Sequence, residues 1–281
     1  MKLIDGRALA QDARAQLKKD IASSGLHPKL AVLLVGDDAA SRLYVSLKEK
    51  AAAEVGIATE VVRVSAFTPT TELIDQINTW NADPSVSGIL IQLPLPEGHD
   101  TQAVIAAMDP KKDADGFHPK NVEALLAGNG TIIPPLHEGI LRLIGATDVV
   151  VNGAKAVIIA NSEEFSKPLN YLLTKAGSFV TIMSPEDIDR KTLANAQIVV
   201  IAVGRTGFLK RGMVSAGTCI IDVGTNQNSD GKTTGDVDAT SLQDLDGWLS
   251  PVPGGVGPMT IAMLLKNVFH LATLSSLPHL S

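Results

Sequence analysis

Residues 29–35 read Lys-Leu-Ala-Val-Leu-Leu-Val, and the turn-forming sequence Gly36-Asp37-Asp38 follows them. A run of six apolar residues that ends at a turn predicts a β-strand buried on both faces. Strands of this kind are typical of parallel sheets, because helices cover both faces of such sheets. This stretch therefore indicates an α/β fold.

The alternation of strands and helices continues on both sides of this strand. In the first half of the chain we predict helices at residues 6–23, 40–55 and 71–81, and strands at residues 60–64 and 86–93. Gly56 should end the second helix, and Thr71 should cap the third. Leu43, Leu47 and Ala51 form the predicted apolar face of the second helix. This β–α–β–α order predicts an α/β layer.

A second α/β unit follows the polar loop at residues 109–119. Short helices at 121–127 and 137–143 lead into predicted strands at 155–160, 179–183, 198–203 and 218–223, with helices at 166–176 and 191–196. Short apolar strands separated by helices fit a Rossmann-like domain. The predicted fold class is α/β, with two α/β domains.

Composition limits the classes of function. The 281 residues suffice for one large or two modest domains. The net charge is −6 and no basic run occurs, so we expect no nucleic-acid partner. One cysteine, Cys219, excludes an internal disulfide, and the scattered histidines lack metal-ligand spacing, so we expect no metal. No secretory signal or long apolar run is present, which predicts a cytoplasmic protein without a membrane span.

The sequence Pro251-Val-Pro-Gly-Gly-Val-Gly-Pro258 holds three prolines and three glycines. Proline fixes the backbone, and glycine lets the backbone approach a flat molecule closely. Apolar residues at helical spacing follow from Met259 to Leu274, so we predict a rigid loop that enters a helix, with Pro258 near the first turn. A simple turn would need fewer such residues, and a preformed wall for a planar ligand is the favoured interpretation.

Three polar side chains stand where a ligand could meet them. Tyr44 and Lys48 are four residues apart and share a helix face, and that helix follows the carboxyl end of a strand, where open α/β sheets bind ligands. Gln92 ends a predicted strand. The plain alternative for Lys48 is a solvated lysine on the helix surface, and for Gln92 an ordinary polar residue at the end of a strand.

Two further charged residues have similar alternatives. Asp115 lies in Asp113-Ala-Asp-Gly116. Either this segment is an ordinary turn, or the Asp115 carboxylate faces a ligand. Arg205, after the strand at 198–203, is either an anion contact or a solvated loop arginine.

Five segments together resemble the bifunctional methylenetetrahydrofolate dehydrogenase/cyclohydrolase family. They are Tyr44-Val-Ser-Leu-Lys48, Gly88-Ile-Leu-Ile-Gln-Leu-Pro-Leu-Pro96, Asp113-Ala-Asp-Gly-Phe-His-Pro119, Ile221-Asp-Val-Gly224 and Pro251-Val-Pro-Gly-Gly-Val-Gly-Pro-Met-Thr260. The resemblance implies a catalytic, folate-binding domain at residues 1–136, completed by a C-terminal helix at 259–281. It also implies a Rossmann-like NAD(P)-binding domain at 137–258, a cleft between the domains, and a homodimer through the Rossmann-like domain.

The resemblance also implies roles for individual residues. Lys48 would be the catalytic lysine, Tyr44 would pack on the pterin, Gln92 would hydrogen-bond the lysine, and Asp115 would hold the amino-pyrimidine edge. The remaining folate contacts would be Leu93, Pro253, Gly254, Gly255, Val256 and Gly257. The implied reactions are oxidation of 5,10-methylenetetrahydrofolate by NADP and hydrolysis of the methenyl product to 10-formyltetrahydrofolate.

The chain departs from the family pattern where the dinucleotide would bind. The implied cofactor contacts are Ala160, Asn161, Ser162, Ser184, Pro185 and Thr225. Two family glycines are replaced, at Ala160 and Ser166, and the acids Glu163 and Glu164 stand nearby. Glycines at such a site let the backbone approach phosphates, and carboxylates repel them. An acid after the second Rossmann strand would suit the ribose hydroxyls of NAD instead.

Several functions stay open on the sequence alone. The dehydrogenase could persist with NADP or NAD, or a cyclohydrolase could remain on a decayed dinucleotide site. The chain could also be a folate-binding protein without catalysis, or a Rossmann dehydrogenase for another substrate.

Overall fold

The structure is a computed structural model that describes residues 1–228 and 231–277. Its elements in chain order are β1 (Lys2–Leu3), α1 (Gly6–Ser24), β2 (Lys29–Val35), α2 (Ala39–Val55), β3 (Ala58–Val64), α3 (Thr70–Ala82), β4 (Gly88–Ile91), α4 (Thr101–Ala106), α5 (Pro119–Leu126), α6 (Pro135–Gly145), β5 (Lys155–Ala160), α7 (Glu163–Lys175), β6 (Phe179–Met183), α8 (Arg190–Ala194), β7 (Ile198–Ala202), β8 (Thr218–Asp222), β9 (Asn226–Gln227), β10 (Thr233–Thr234), β11 (Gly247–Leu249) and α9 (Val256–Ser276). The last four residues of the predicted C-terminal helix, 278–281, lie outside the described residues.

The chain forms two compact units. The three-stranded unit comprises Gln11–Pro135 and the residues from Ile261 onward, and the six-stranded unit comprises Met1–Ala10 and Leu136–Thr260. Both units contain parallel sheets flanked by helices, so the predicted α/β class is confirmed.

In the three-stranded unit, β2 lies at the centre of a parallel sheet with the order β3-β2-β4. Its side chains alternate between two buried clusters. Leu30, Val32 and Leu34 pack with residues of α1, α2 and α9 on one face. Alternate residues, including Leu33, pack on the other face against α3, whose Trp80 is buried. The prediction of a strand buried on both faces is confirmed.

The six-stranded unit has the parallel order β1-β11-β8-β7-β5-β6. Ile159 of β5 pairs with Met183 of β6, and Ala160 of β5 pairs with Ala202 of β7. The carboxyl ends of these three strands therefore lie side by side. The chain leaves β5 toward β6 on one side and later returns to β7 on the other, which makes β5 a topological switch point where open sheets bind ligands.

Several predicted details are wrong. Ala51 of the predicted apolar face of α2 is buried, but Leu43 and Leu47 are 59% and 43% exposed, and Val45 and Ala52 are buried instead. Thr71 does not cap α3, because that helix begins at Thr70 after Pro69 and has no side-chain cap. Apolar identity alone does not say which of two possible helix faces meets the sheet.

Other elements differ in their limits. Helix α7 begins at Glu163 rather than residue 166, because the Ser162 side chain accepts a hydrogen bond from the Phe165 amide at 3.3 Å and caps the helix. Strand β4 ends at Ile91, so Gln92 lies directly after it. The short elements β1, α4 and β9 to β11 were not predicted, since two to six residues carry too little periodicity.

The end of α2 gives a test of local backbone energetics. Gly56 has φ +90° and its amide donates to the Ala52 and Ala53 carbonyls, as the sequence predicts for the residue after a helix. We expect Gly56→Ala to lower the free energy of unfolding by about 1–2 kcal/mol, the cost of a left-handed conformation for a residue with a Cβ atom. Gly145→Ala, at a glycine without positive φ or close neighbours, is the matched control in denaturant titrations.

Candidate functional site

The side chains of Lys48 and Gln92 meet at the carboxyl end of the three-stranded sheet. Lys48 lies on α2, whose first turn is fixed by Asp38, the acceptor of a 2.7 Å hydrogen bond from the Ser41 amide. The Lys48 ammonium donates to Gln92 Oε1 at 2.9 Å. Gln92 Nε2 donates to the Leu93 carbonyl at 2.9 Å, which fixes the orientation of the amide. Tyr44, four residues before Lys48 on α2, is also half-buried.

Asp115 and Lys48 are linked electrostatically. Burial lowers the pKa of Lys48, and the Asp115 carboxylate partly opposes this change. Burial raises the pKa of Asp115 to about 6, against the opposing charge of Lys48 and with a further contribution from the Asp113 carboxylate. Pairs of titratable groups with shifted pKa values are typical of catalytic sites. The structure thus brings together Lys48, Gln92 and Asp115, three of the predicted catalytic residues.

Asp113 holds the loop that carries Asp115. Its fully buried carboxylate accepts hydrogen bonds from the amides of Gly116 at 2.9 Å and His118 at 2.8 Å, and from Asn121 Nδ2 at 2.9 Å. Asn267 of α9 donates to the neighbouring Ala114 carbonyl at 3.0 Å. The loop is therefore fixed before any ligand binds, and its position depends on a carboxylate that sequence reasoning treated only as part of a turn.

Leu93 and Asp115 also line one small cavity, together with Ile89, Ile91 and Phe117. Its volume is about 10 Å³, close to the space for one water molecule. The predicted folate contact Leu93 thus lies beside the predicted catalytic group Asp115.

The segment from Pro251 to Pro258 is a tight loop in the six-stranded unit. The Gly255 amide donates to the Pro251 carbonyl at 2.7 Å, and a Cβ atom on Gly255 would lie 2.7 Å from that same oxygen. Gly254 has φ +112°. Helix α9 begins at Val256, so Pro258 lies in its first turn as predicted. Only glycine fits these two positions; Gly254 is half-buried and Gly255 is buried.

Three predicted cofactor contacts follow β5. Ala160 ends the strand and is buried, whereas Asn161 and Ser162 are exposed. Asn161 Nδ2 donates to the Val203 carbonyl after β7 at 2.7 Å. Glu163, in the first turn of α7, forms an ion pair with Lys167 at 2.5 Å, which offsets part of its charge.

The other predicted cofactor contacts lie after β6 and β8. Ser184 and Thr225 are exposed, but Pro185 is buried, so its side chain offers little surface to a ligand. Two buried carboxylates, those of Asp222 and Asp236, order the loop after β8. Asp222 accepts hydrogen bonds from the amides of Gly224, Asp236 and Val237 at 2.9–3.0 Å; burial raises its pKa to about 6.

His137 contacts the segment that follows the β5 turn. Its Nε2 lies 2.9 Å from the Phe165 carbonyl oxygen, and its ring lies 5.3 Å from the Phe165 ring. A carbonyl only accepts, so Nε2 carries the hydrogen. Burial lowers the pKa of His137 to about 4, and Nδ1 has no hydrogen-bond partner among the described residues. The imidazole is neutral and supports α7 as a packing group.

The described residues, 1–228 and 231–277, contain neither a candidate metal cluster nor a candidate membrane span. No group of three histidine, cysteine or acidic side chains is placed there to hold a metal ion. No helix in the same part of the chain is long and apolar enough to cross a membrane.

Family models match both parts of the chain. A model described as the catalytic domain of tetrahydrofolate dehydrogenase/cyclohydrolase matches residues 4–115, and one described as its NAD(P)-binding domain matches residues 134–276.

Relatives are similar over nearly the whole length. The bifunctional protein FolD of Acidiphilium cryptum is 43% identical over 267 residues, 95% of this chain and 96% of that protein. The crystal structure of the bifunctional enzyme FolD from Campylobacter jejuni is 38% identical, with a TM-score of 0.93 over 98% of this chain and 99% of that one. The Trypanosoma brucei enzyme, solved with NADP cofactor and an inhibitor, is 30% identical, with a TM-score of 0.92 and 97% coverage of both chains. This chain belongs to the tetrahydrofolate dehydrogenase/cyclohydrolase family.

Proposed function

We propose that the chain is a bifunctional enzyme of folate one-carbon metabolism. It oxidises 5,10-methylenetetrahydrofolate with NADP and hydrolyses the methenyl product to 10-formyltetrahydrofolate. The observation that supports this proposal most strongly is the hydrogen bond between Lys48 and Gln92, beside the half-buried Asp115. Relatives named as bifunctional FolD proteins favour both activities over a cyclohydrolase alone or a binding protein without catalysis.

The hydrolysis step needs a group that can move protons near neutral pH. The methenyl carbon is already electrophilic, so water must be positioned and lose a proton as it adds. An ordinary lysine stays protonated, but burial lowers the pKa of Lys48 and raises its neutral fraction. Gln92 Oε1 holds the lysine nitrogen in place while the Gln92 amide is fixed by the Leu93 carbonyl.

Substrate binding is assigned to the residues around this lysine. Asp115 as a carboxylate can accept two hydrogen bonds from the amino-pyrimidine edge of the pterin, and Tyr44 can stack on the ring. Leu93 adds apolar surface. Within the six-stranded unit, Pro253, Gly254 and Gly257 of the loop offer accessible surface to a planar ligand, whereas Gly255 and Val256 are buried and support the loop from within.

The residues at the end of β5 fit a dinucleotide. Ser162 caps α7, and the N-terminus of this 13-residue helix, directly after β5, is suited to bind a phosphate group. Asn161 and Ser162 would hold the phosphates, while Ser184 and Thr225 provide exposed hydroxyls nearby. When bound, the nicotinamide ring supplies the hydride acceptor for the oxidation.

The proposed activity can be tested with the purified protein. Addition of 5,10-methylenetetrahydrofolate and NADP should give NADPH. Folate binding without NADPH formation, and without hydrolysis of added methenyltetrahydrofolate, would reduce the chain to a folate-binding protein.

The charge on Asp115 predicts how folate affinity depends on pH. The carboxylate form makes the proposed contacts and predominates above the pKa of about 6. As the pH falls below 6, the affinity for tetrahydrofolate should fall by up to about tenfold per pH unit, since the carboxylate fraction of Asp115 falls by that factor. Titrations between pH 5 and 8 should show this change in the wild type but not in Asp115→Asn; an equal change in both would remove Asp115 from the site.

A homodimer through the six-stranded unit is also proposed. Strand β6 lies at one edge of its sheet, and Phe179 and Ile182 on it are 71% and 44% exposed. An apolar edge strand favours contact with a second copy. The proposed ligands are tetrahydrofolate derivatives; a cytoplasmic location and the lack of a nucleic-acid partner stay predictions.

A further inference from the structure

An ion pair crosses the ligand-binding edge of the six-stranded sheet. The Arg205 guanidinium, after β7, donates to the Glu186 carboxylate, after β6. Strand β5 lies between β6 and β7, and neighbouring strands are about 4.8 Å apart, so the two strands that precede these residues are about 10 Å apart. The two residues therefore come from the loops that flank the carboxyl end of β5, at the switch point of the sheet.

The backbone that carries Arg205 is fixed by a buried carboxylate. Asp236 accepts hydrogen bonds from the amides of Val203 at 2.6 Å, Gly204 at 3.1 Å and Arg205 at 2.8 Å. The Arg205 guanidinium also lies 6.0 Å from the Phe208 ring. The backbone of Arg205 is thus set by the fold, and the ion pair makes the residue more than the solvated loop arginine that was one prediction from the sequence.

Glu186 stands where dinucleotide-binding sheets recognise ribose. Strand β6 is the second strand of the Rossmann-type unit that starts at β5, and an acid after this strand accepts hydrogen bonds from ribose hydroxyls of NAD. An arginine at the same place accommodates the 2′-phosphate of NADP. The Arg205 guanidinium lowers the pKa of Glu186, so Glu186 is a carboxylate at neutral pH.

We propose that Glu186 and Arg205 together set the preference between NADP and NAD. Arg205 binds the 2′-phosphate of NADP, and Glu186 accepts from the ribose hydroxyls of NAD. Because each residue neutralises the other, a 2′-phosphate must displace Glu186 from Arg205, and the chain discriminates only weakly between the two dinucleotides. This inference rests on the proposed function, namely that the six-stranded unit binds a dinucleotide.

Binding of adenosine 2′,5′-bisphosphate and of 5′-AMP tests the pair without catalysis. Calorimetry on Arg205→Gln should show about tenfold or greater loss of bisphosphate affinity, since hydrogen bonds between charged groups are lost. Glu186→Gln should raise bisphosphate affinity by about two- to fivefold, the range for release of an exposed ion pair. Neither variant should bind 5′-AMP two- to fivefold more tightly than the wild type does.

Two exposed neighbours serve as charge-matched controls. Lys210→Gln and Asp187→Asn alter the net charge by the same amounts as Arg205→Gln and Glu186→Gln. If the controls match the test variants, general electrostatics explains the effect and the inference is wrong. It is also wrong if Arg205→Gln leaves the ratio of the two affinities unchanged, or if the wild type binds neither probe. Continued hydrolysis of methenyltetrahydrofolate in that last case would leave the cyclohydrolase part of the proposed function intact.

Discussion

Replacement of Lys48 by methionine should slow hydrolysis of methenyltetrahydrofolate by about 10²–10⁴-fold, the usual contribution of a general acid–base group. Methionine retains most of the apolar stem but removes the amine that contacts Gln92 Oε1 at 2.9 Å. Folate affinity should change little, because Asp115 and the apolar contacts remain. The loss of the methenyl chromophore measures the rate, and calorimetry with tetrahydrofolate measures the affinity.

The control for this variant is Lys50→Met. Lys50 carries the same charge and is exposed on the same helix. Because it is two residues from Lys48, it lies on a different face of that helix. Its rate should stay close to that of the wild type. An unchanged rate in Lys48→Met would show that the lysine is not part of the reaction, and an equal loss in both variants would indicate damage to α2.

Replacement of Asp236 by alanine should destabilise the six-stranded unit by about 3 kcal/mol or more. The carboxylate is fully buried and accepts from the amides of Val203, Gly204 and Arg205 and from Asn226 Nδ2. Each buried donor left without a partner costs about 1–3 kcal/mol. Urea unfolding followed by fluorescence of Trp248, which lies in this unit, measures the change.

Asp244→Ala is the matched control for Asp236→Ala. Asp244 is exposed in the same unit, and its loss should change the free energy of unfolding by less than about 0.5 kcal/mol. A similarly small change in Asp236→Ala would mean that the loop after β7 finds other acceptors, and the fixed position of Arg205 would lose its support.

Local sequence predicted the elements that have strong apolar periodicity or that turn residues delimit. The limits of β2, β5 and β6 agree with prediction, because each is a short apolar run between turn residues. The prediction that Leu43 and Leu47 lie on the buried face of α2 was wrong, since both are as apolar as the residues that the helix buries. Which face packs depends on the sheet, and residue spacing within one helix cannot supply that information.

The proposed catalytic residues were predicted from motifs, and the residues that hold them in place were not predicted. The contact between Lys48 and Gln92 joins residues 44 positions apart, and only the family resemblance linked them. Asp113 lies in the turn-like sequence Asp113-Ala-Asp-Gly116 and Asp236 follows Gly235. Both were missed because such sequences look the same in a surface turn and in a buried hydrogen-bond centre. The pair of Glu186 and Arg205 joins two strand ends, and the sequence alone gives each residue as an isolated charge.

Identification of the folate formed from 5,10-methylenetetrahydrofolate and NADP tests the central claim most directly. Chromatography of the reaction with purified protein should show 10-formyltetrahydrofolate, with NADPH formed in equal amount. Lys48→Met should instead accumulate the methenyl compound. Unconsumed 5,10-methylenetetrahydrofolate in the wild-type reaction, or accumulation of the methenyl compound without its hydrolysis, would contradict the bifunctional assignment.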